Sequence, residues 1–230
     1  DGCKYNAPTI DINTTCLSFV NSLDIASNMI DNNQYKNIVI VTSEIASKGL
    51  NTNNKETLTL FGDAAVAVVL TYNEDYSSHL IKSRFRTYSK GVFHTLIKGG
   101  GNKYFFKDFP YDEELHSFNM DGRSLLKIAN KEMGSFAAEF FNDLEYDISD
   151  VNIVIPHQAS RIGLALFRKI FPLEEGVIQD YLLNYGNCIA ASIPLVLHNV
   201  VKERKLKRGD LCLLLGTSAG FSIGAVLFRY

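Results

Sequence analysis

Ser218-Ala219-Gly220-Phe221-Ser222-Ile223-Gly224-Ala225-Val226-Leu227 echoes Phe61-Gly62-Asp63-Ala64-Ala65-Val66-Ala67-Val68-Val69-Leu70. In each, a glycine-bearing turn runs into an apolar strand. Each also closes a strand-helix-strand-strand unit. An internal repeat of this kind predicts two related halves packed together, because neither unit buries its apolar face alone. Strands alternating with helices, the strands themselves apolar, point to layered α/β architecture.

The first unit reads as a strand at about 9–12, a helix at about 16–32 and a strand at 37–43. A loop rich in Asn, Lys and Thr (47–57) leads to a strand at 64–72. Leu17, Val20, Leu23, Ile25, Ala26 and Ile30 fall near a 3.6-residue period, and Asn32-Asn33 supplies turn chemistry at the helix end. The unbroken β-branched run 38–41 predicts a strand buried on both faces. Residues 73–122 are irregular, with short strands at 80–87 and 92–98. Their Gly99-Gly100-Gly101 reads as a turn, since no strand–glycine–helix order surrounds it. Leu125, Ile128, Ala129, Met133, Phe136, Ala137 and Phe140 put one apolar stripe on a long helix from Ser124 to Leu144.

The second unit predicts a strand at 151–155, a helix at 159–171, a short strand near 177–179, a helix at 189–204, and strands at 210–215 and 223–229. The halves divide as 1–75 and 76–230.

Bulk properties narrow the function. With 230 residues, 46% of them hydrophobic, the chain can bury a substantial core. A net charge of −2 gives no basic field for nucleic acid. The four cysteines, Cys3, Cys16, Cys188 and Cys212, lack CxxC spacing, which argues against zinc and fits a reducing compartment. No apolar run is long enough for a membrane span. A cytoplasmic protein is the expectation. The chain opens on Asp1-Gly2-Cys3 without an initiator methionine and reads as a segment of something longer.

Three residues at element ends carry the chemical reading. Cys16 opens the first helix, where unpaired N–H groups and the helix dipole favour a thiolate; the alternative is a small buried apolar residue. His157 follows Val151-Asn152-Ile153-Val154-Ile155-Pro156, and the proline ends the strand at the carboxyl edge where ligands collect in α/β sheets. His79, His94, His116 and His198 lie in irregular or surface contexts and read as structural. Asn187, in Tyr185-Gly186-Asn187, reads either as a helix cap or as a neutral donor to a thioester oxygen or enolate. Gly216-Thr217-Ser218-Ala219-Gly220 reads as a tight hairpin whose N–H groups also suit an oxyanion hole. Lys202-Glu203-Arg204-Lys205-Leu206-Lys207-Arg208 reads as a solvated helix end, with docking of an acidic partner as the alternative.

Asp11-Ile12-Asn13-Thr14-Thr15-Cys16-Leu17-Ser18-Phe19, Phe61-Gly62-Asp63-Ala64-Ala65, Pro156-His157-Gln158-Ala159, Gly186-Asn187-Cys188-Ile189-Ala190-Ala191-Ser192-Ile193-Pro194 and Gly220-Phe221-Ser222-Ile223-Gly224 resemble the β-ketoacyl-acyl-carrier-protein synthase III family of the thiolase superfamily. They run in family order from end to end of the chain. The resemblance implies a thiolase-like fold in α-β-α-β-α layers, with the N-terminal portion missing. It implies Cys16 as nucleophile with His157 and Asn187 as partners, and an oxyanion hole from the N–H groups of Cys16 and Ala219.

The activity implied is decarboxylative condensation of an acyl-CoA with malonyl-acyl-carrier protein, by a homodimer, without metal or redox cofactor. The Cys-His-Asn set points away from relatives using Cys-His-His, and the lack of a cysteine in 216–224 points away from degradative thiolases. Two departures stand out. Family members often continue the histidine motif with asparagine and, two places on, arginine, where this chain has Ser160-Arg161-Ile162; Ala219 stands where glycine is usual. Related acyl-transfer enzymes of specialised metabolism and a non-catalytic partner subunit are the alternatives.

Overall fold

The computed structural model describes residues 7–52 and 54–230. Cys3 and the opening residues lie outside them. Among the described residues, eight strands form three sheets. Strand β1 (Asn37–Ile45) pairs antiparallel with β2 (Asp63–Thr71) over their whole length. Strands β3 (His79–Thr87), β6 (Ile153–Pro156), β7 (Leu211–Ser218) and β8 (Ser222–Arg229) make a sheet of order β3-β8-β7-β6, with β6 and β7 parallel and the other pairs antiparallel. The short β4 (Thr95–Ile97) and β5 (Phe118–Met120) form a separate ribbon.

Four longer helices complete the layers: α1 (Ser18–Asp31), α2 (Gly122–Phe141), α3 (Arg161–Ile170) and α4 (Ser192–Lys202). Helix α1 packs on both large sheets and on α4. Its buried face, Phe19, Val20, Leu23, Ala26 and Ile30, follows the helical spacing seen in the sequence. The core there joins these residues to Ile40 of β1, Ile155 of β6, Ile193 and Val196 of α4, Leu214 of β7 and Val226 of β8. A second core lies on the opposite face of the four-stranded sheet, where Phe136 and Phe140 of α2 and Phe167 of α3 meet Val154, Leu213, Leu215 and Leu227. The order is therefore sheet, helices, sheet, helices. Central strands buried from both sides explain why 211–216 and 223–227 are continuously apolar.

The predicted strand at 9–12 does not form. Residues 7–14 have no ladder partner among the described residues, and Ile10 is 64% exposed. Extended sequence alone does not make a strand; its N–H and C=O groups need a neighbour.

Strand β1 also departs from expectation. Ile40 and Thr42 are buried, whereas Val39 is 52% and Val41 66% exposed, so burial alternates. Only one face of the β1–β2 ribbon packs on helices; Ile45 and Val69 are exposed as well. The predicted strand near 177–179 survives as one parallel bridge between Val154 and Ile178. Gly100 and Gly101 lie in a turn at positive φ, as read from the sequence.

Candidate active site

The site is assembled where β6 and β7 end. Their parallel register pairs Pro156 with Leu215, and the His157 N–H continues the ladder to the Leu215 carbonyl at 2.9 Å. Gly216 follows, and close approach is what it provides: a Cβ there would come within 2.6 Å of the His157 Cβ and 3.5 Å of Leu17. His157 and the residue after Cys16 thus flank one glycine.

Gln158, 1% exposed, locks this corner. Its amide nitrogen donates to the Pro156 and Gln179 carbonyls (2.7 and 3.3 Å), and its oxygen accepts the Tyr181 N–H at 2.9 Å. Ser160 then caps α3, its hydroxyl oxygen accepting the Gly163 N–H at 3.0 Å. A serine serves where the resemblance favoured asparagine, because either caps well.

Cys16 sits in a 3-10 turn, Thr15–Leu17, that leads into α1. Thr15 has φ +50, a conformation costly for a β-branched residue. The turn is held across the molecule: the Ala219 N–H donates to the Thr15 hydroxyl oxygen at 3.0 Å.

The Cys16 thiol is pushed up to about 12, chiefly by burial and then by the negative charge of Glu44; its own N–H, the Ala219 N–H and the Thr15 hydroxyl pull the other way. The expected thiolate is therefore corrected. The donors at the helix start are present, but desolvation outweighs them. Part of Cys16 still reaches solvent. His157 is pushed down to about 4 by burial, leaving a neutral imidazole, and its Nδ1 is buried with no hydrogen-bond partner among the described residues.

Asn187 enters from the other side. Its backbone pairs with the Leu60–Gly62 segment, the N–H donating to the Leu60 carbonyl at 2.9 Å and the carbonyl accepting the Gly62 N–H at 3.1 Å. Gly62 is obligatory for that approach, since a Cβ would lie 1.9 Å from the Tyr185 carbonyl oxygen. The side-chain oxygen accepts the Ile189 N–H at 2.9 Å, and Nδ2 reaches the Ala159 carbonyl at 3.5 Å, two residues beyond His157. The bond from Ile189 is the cap-like use of asparagine expected from the sequence.

The turn containing Ile189–Ala191 packs against the Thr15–Leu17 turn and the end of β1. The predicted residues Cys16, His157, Asn187 and Ala219 therefore lie on elements that meet. Glu44 was not found from sequence; it stands at the end of a strand with no motif to mark it. Cys188 and Cys212 are buried, and burial raises both thiols.

The family described as "3-Oxoacyl-[acyl-carrier-protein (ACP)] synthase III" matches residues 10–89, and its C-terminal counterpart matches 141–230. A β-ketoacyl-[acyl-carrier-protein] synthase III of Clostridium perfringens is 34% identical over 226 residues, covering 97% of this chain and 68% of the relative. The chain belongs to the 3-oxoacyl-[acyl-carrier-protein] synthase III family.

A synthase III of Aquifex aeolicus is 36% identical over 221 residues, with 96% of this chain and 66% of the relative covered. The crystal structure of 3-oxoacyl-[acyl-carrier-protein] synthase III from Aquifex aeolicus superposes with a TM-score of 0.83 at 31% identity, over 96% of this chain and 66% of that one. A structure of Xanthomonas campestris OleA, 21% identical, shares the fold with a TM-score of 0.83 over 99% of this chain and 67% of that chain. The fold is the thiolase-like one the sequence resembles. The chain spans about two thirds of the length of these relatives.

Two surface features lie apart from the site. Among the described residues, no helix is long and apolar enough to cross a membrane. The basic stretch after α4 is engaged locally: Lys205 pairs with Glu203 at 2.8 Å, and the Arg208 guanidinium lies 4.3 Å from the Tyr230 ring centroid. That favours the solvated helix end.

Proposed function

We propose that this chain carries the condensing site of a β-ketoacyl-acyl-carrier-protein synthase III, joining an acyl-CoA primer to malonyl-acyl-carrier protein. The observation that carries the reading is the meeting of the Cys16 turn, Ala219, His157 and Asn187 in a member of this family.

Cys16 sulfur attacks the acyl thioester. The carbon–sulfur bond to CoA breaks, and the thiol proton ends on the departing CoA sulfur. The oxyanion formed on the way is met by the N–H groups of Cys16 and Ala219. Ala219 must share or release its bond to Thr15 to do so.

Malonyl-acyl-carrier protein then loses CO2, the electrons of the broken C–C bond passing into an enolate. His157 and Asn187 donate N–H groups to its oxygen. A histidine kept neutral by burial suits that donor role, since its N–H is retained across the physiological pH range. The enolate carbon attacks the acyl carbonyl, Cys16 leaves as thiolate and regains a proton, and a β-ketoacyl thioester is released.

The same reading gives a cytoplasmic homodimer that meets acyl-CoA and an acyl carrier protein and needs no resident cofactor. Mass spectrometry after mixing with an acyl-CoA tests it: one acyl adduct on Cys16 is expected, and an adduct on another cysteine overturns the assignment. Product analysis with malonyl-carrier protein against malonyl-CoA identifies the acceptor.

A further inference from the structure

Glu44 is the one carboxylate whose charge bears on the Cys16 thiol among the influences described above, and it comes from a different part of the fold. It lies near the end of β1, its side chain half-buried beside the turn that follows Asn187. Its Oε1 accepts the Ala190 N–H at 3.4 Å. One residue earlier, the Ile189 N–H goes to the Asn187 side-chain oxygen at 2.9 Å. Between these two bonds Ile189 is held at φ +49, a region a β-branched residue avoids unless its surroundings impose it. Thr15, Ser18, Glu44, Ile189 and Ala190 line a common groove of about 460 Å³, so the carboxylate, the strained turn and the nucleophile's turn face the same space.

Building on the condensing-site reading, we propose that Glu44 is a positioning residue of this site. Its carboxylate holds the Ile189–Ala191 turn so that Asn187 keeps its oxygen turned inward to Ile189 and its amide nitrogen on the side of Ala159 and His157. A carboxylate placed to accept a backbone N–H beside Asn187 cannot avoid raising the cost of a thiolate at Cys16. Burial raises the carboxyl's own proton affinity, and the Ala190 N–H partly counters this. Elsewhere in the site His157 is held neutral by burial, and the Cys188 thiol is raised by burial and then by the charges of Asp63 and Glu44.

Two substitutions separate the roles. Glu44→Gln keeps an oxygen acceptor for the Ala190 N–H and removes the charge; Glu44→Ala removes both. With acyl-CoA and malonyl-carrier protein, Glu44→Ala is expected to load Cys16 no more slowly than the wild type and to release CO2 at least tenfold more slowly. Glu44→Gln is expected to restore CO2 release to within threefold. Undiminished CO2 release by Glu44→Ala, or a Glu44→Gln variant as slow as Glu44→Ala, overturns the positioning role.

The second measurement needs no thioester substrate. Iodoacetamide at pH 8 should alkylate Cys16 of Glu44→Gln at least threefold faster than in the wild type, because the thiolate fraction rises. An equal or slower rate overturns the role of the charge, even if Glu44→Ala fails to fold. A wild-type protein that neither loads nor decarboxylates would sink the condensing-site reading, while the alkylation comparison would still judge Glu44.

Discussion

The Ala219 N–H and the Thr15 hydroxyl, 204 residues apart in the chain, are joined at 3.0 Å. This bond ties the hairpin between β7 and β8 to the turn that presents Cys16. It also occupies one of the two N–H groups proposed for the oxyanion, so the resting site is not fully open to a substrate oxygen. Thr15→Val should remove the competing acceptor. It leaves the Ala219 N–H without that partner, at a cost of roughly 1–3 kcal/mol if the group stays buried. A lower thermal midpoint is expected, with acyl loading of Cys16 retained.

Gly216 is where His157 and the Cys16 turn come closest to the end of β7. An added Cβ would meet the His157 Cβ at 2.6 Å, well inside contact distance. Gly216→Ala should displace His157 and destabilise the protein by roughly 1–3 kcal/mol, as overpacking does. CO2 release from malonyl-carrier protein should fall further than acyl loading, because His157 is assigned to the enolate; rapid-quench measurement of the two steps checks this.

Asn187→Ala should spare transfer of the acyl group to Cys16 and slow decarboxylation by ~100–1,000-fold, the usual loss for one oxyanion donor. The substitution also strands the Ile189 N–H, so a modest drop in the thermal midpoint should accompany it. Equal losses in loading and decarboxylation would count against the assigned role.

His157 makes stability depend on pH in a defined direction. Its folded-state value is pushed from 6.5 down to about 4 by burial, so the unfolded chain binds the proton more tightly. The stabilisation from keeping this imidazole neutral is full above about pH 6.5 and is lost as pH falls towards 4. A shift of this size corresponds to about 3 kcal/mol as an upper figure. Urea midpoints measured from pH 7 to 4 should fall more steeply for the wild type than for His157→Gln.

Among the described cysteines, Cys16 should be the first alkylated, since Cys188 and Cys212 are buried. Its rate should still be climbing at pH 10, as expected for a thiol raised to about 12. Peptide mapping after timed exposure to iodoacetamide checks both statements; a plateau near neutral pH would mean a stabilised thiolate.

Much of this arrangement was legible from the residues. The apolar runs of β6, β7 and β8 gave strands because they are buried on both sides, and the stripe on α2 gave a helix for the complementary reason. Cys16, His157 and Asn187 drew notice because they stand where a regular pattern stops, whereas Ala219 was named through the family resemblance. The segment 9–12 misled because its residues suit a strand while a strand also requires a partner. The alternation in β1 was hidden by valines on its outer face, which look like core until the packing is known. Glu44 and Gln158 left no periodic signal, since their importance comes from hydrogen bonds to backbone groups remote in sequence. The neutral state of Cys16 was unreadable for a similar reason: a helix start is visible in a sequence, but desolvation is not.

The paired bonds between Asn187 and the Leu60–Gly62 segment bear on how this protein can change. An amide proposed for the chemistry is anchored by main-chain atoms more than 120 residues earlier in the chain, so its position depends on the path of the 60–62 loop rather than on any side chain there. Swapping one unit for that of a distant homologue would preserve every reactive group and still misalign them unless Gly62 came too. Recombination between such genes should therefore succeed mainly where this loop and the 185–187 turn are inherited together.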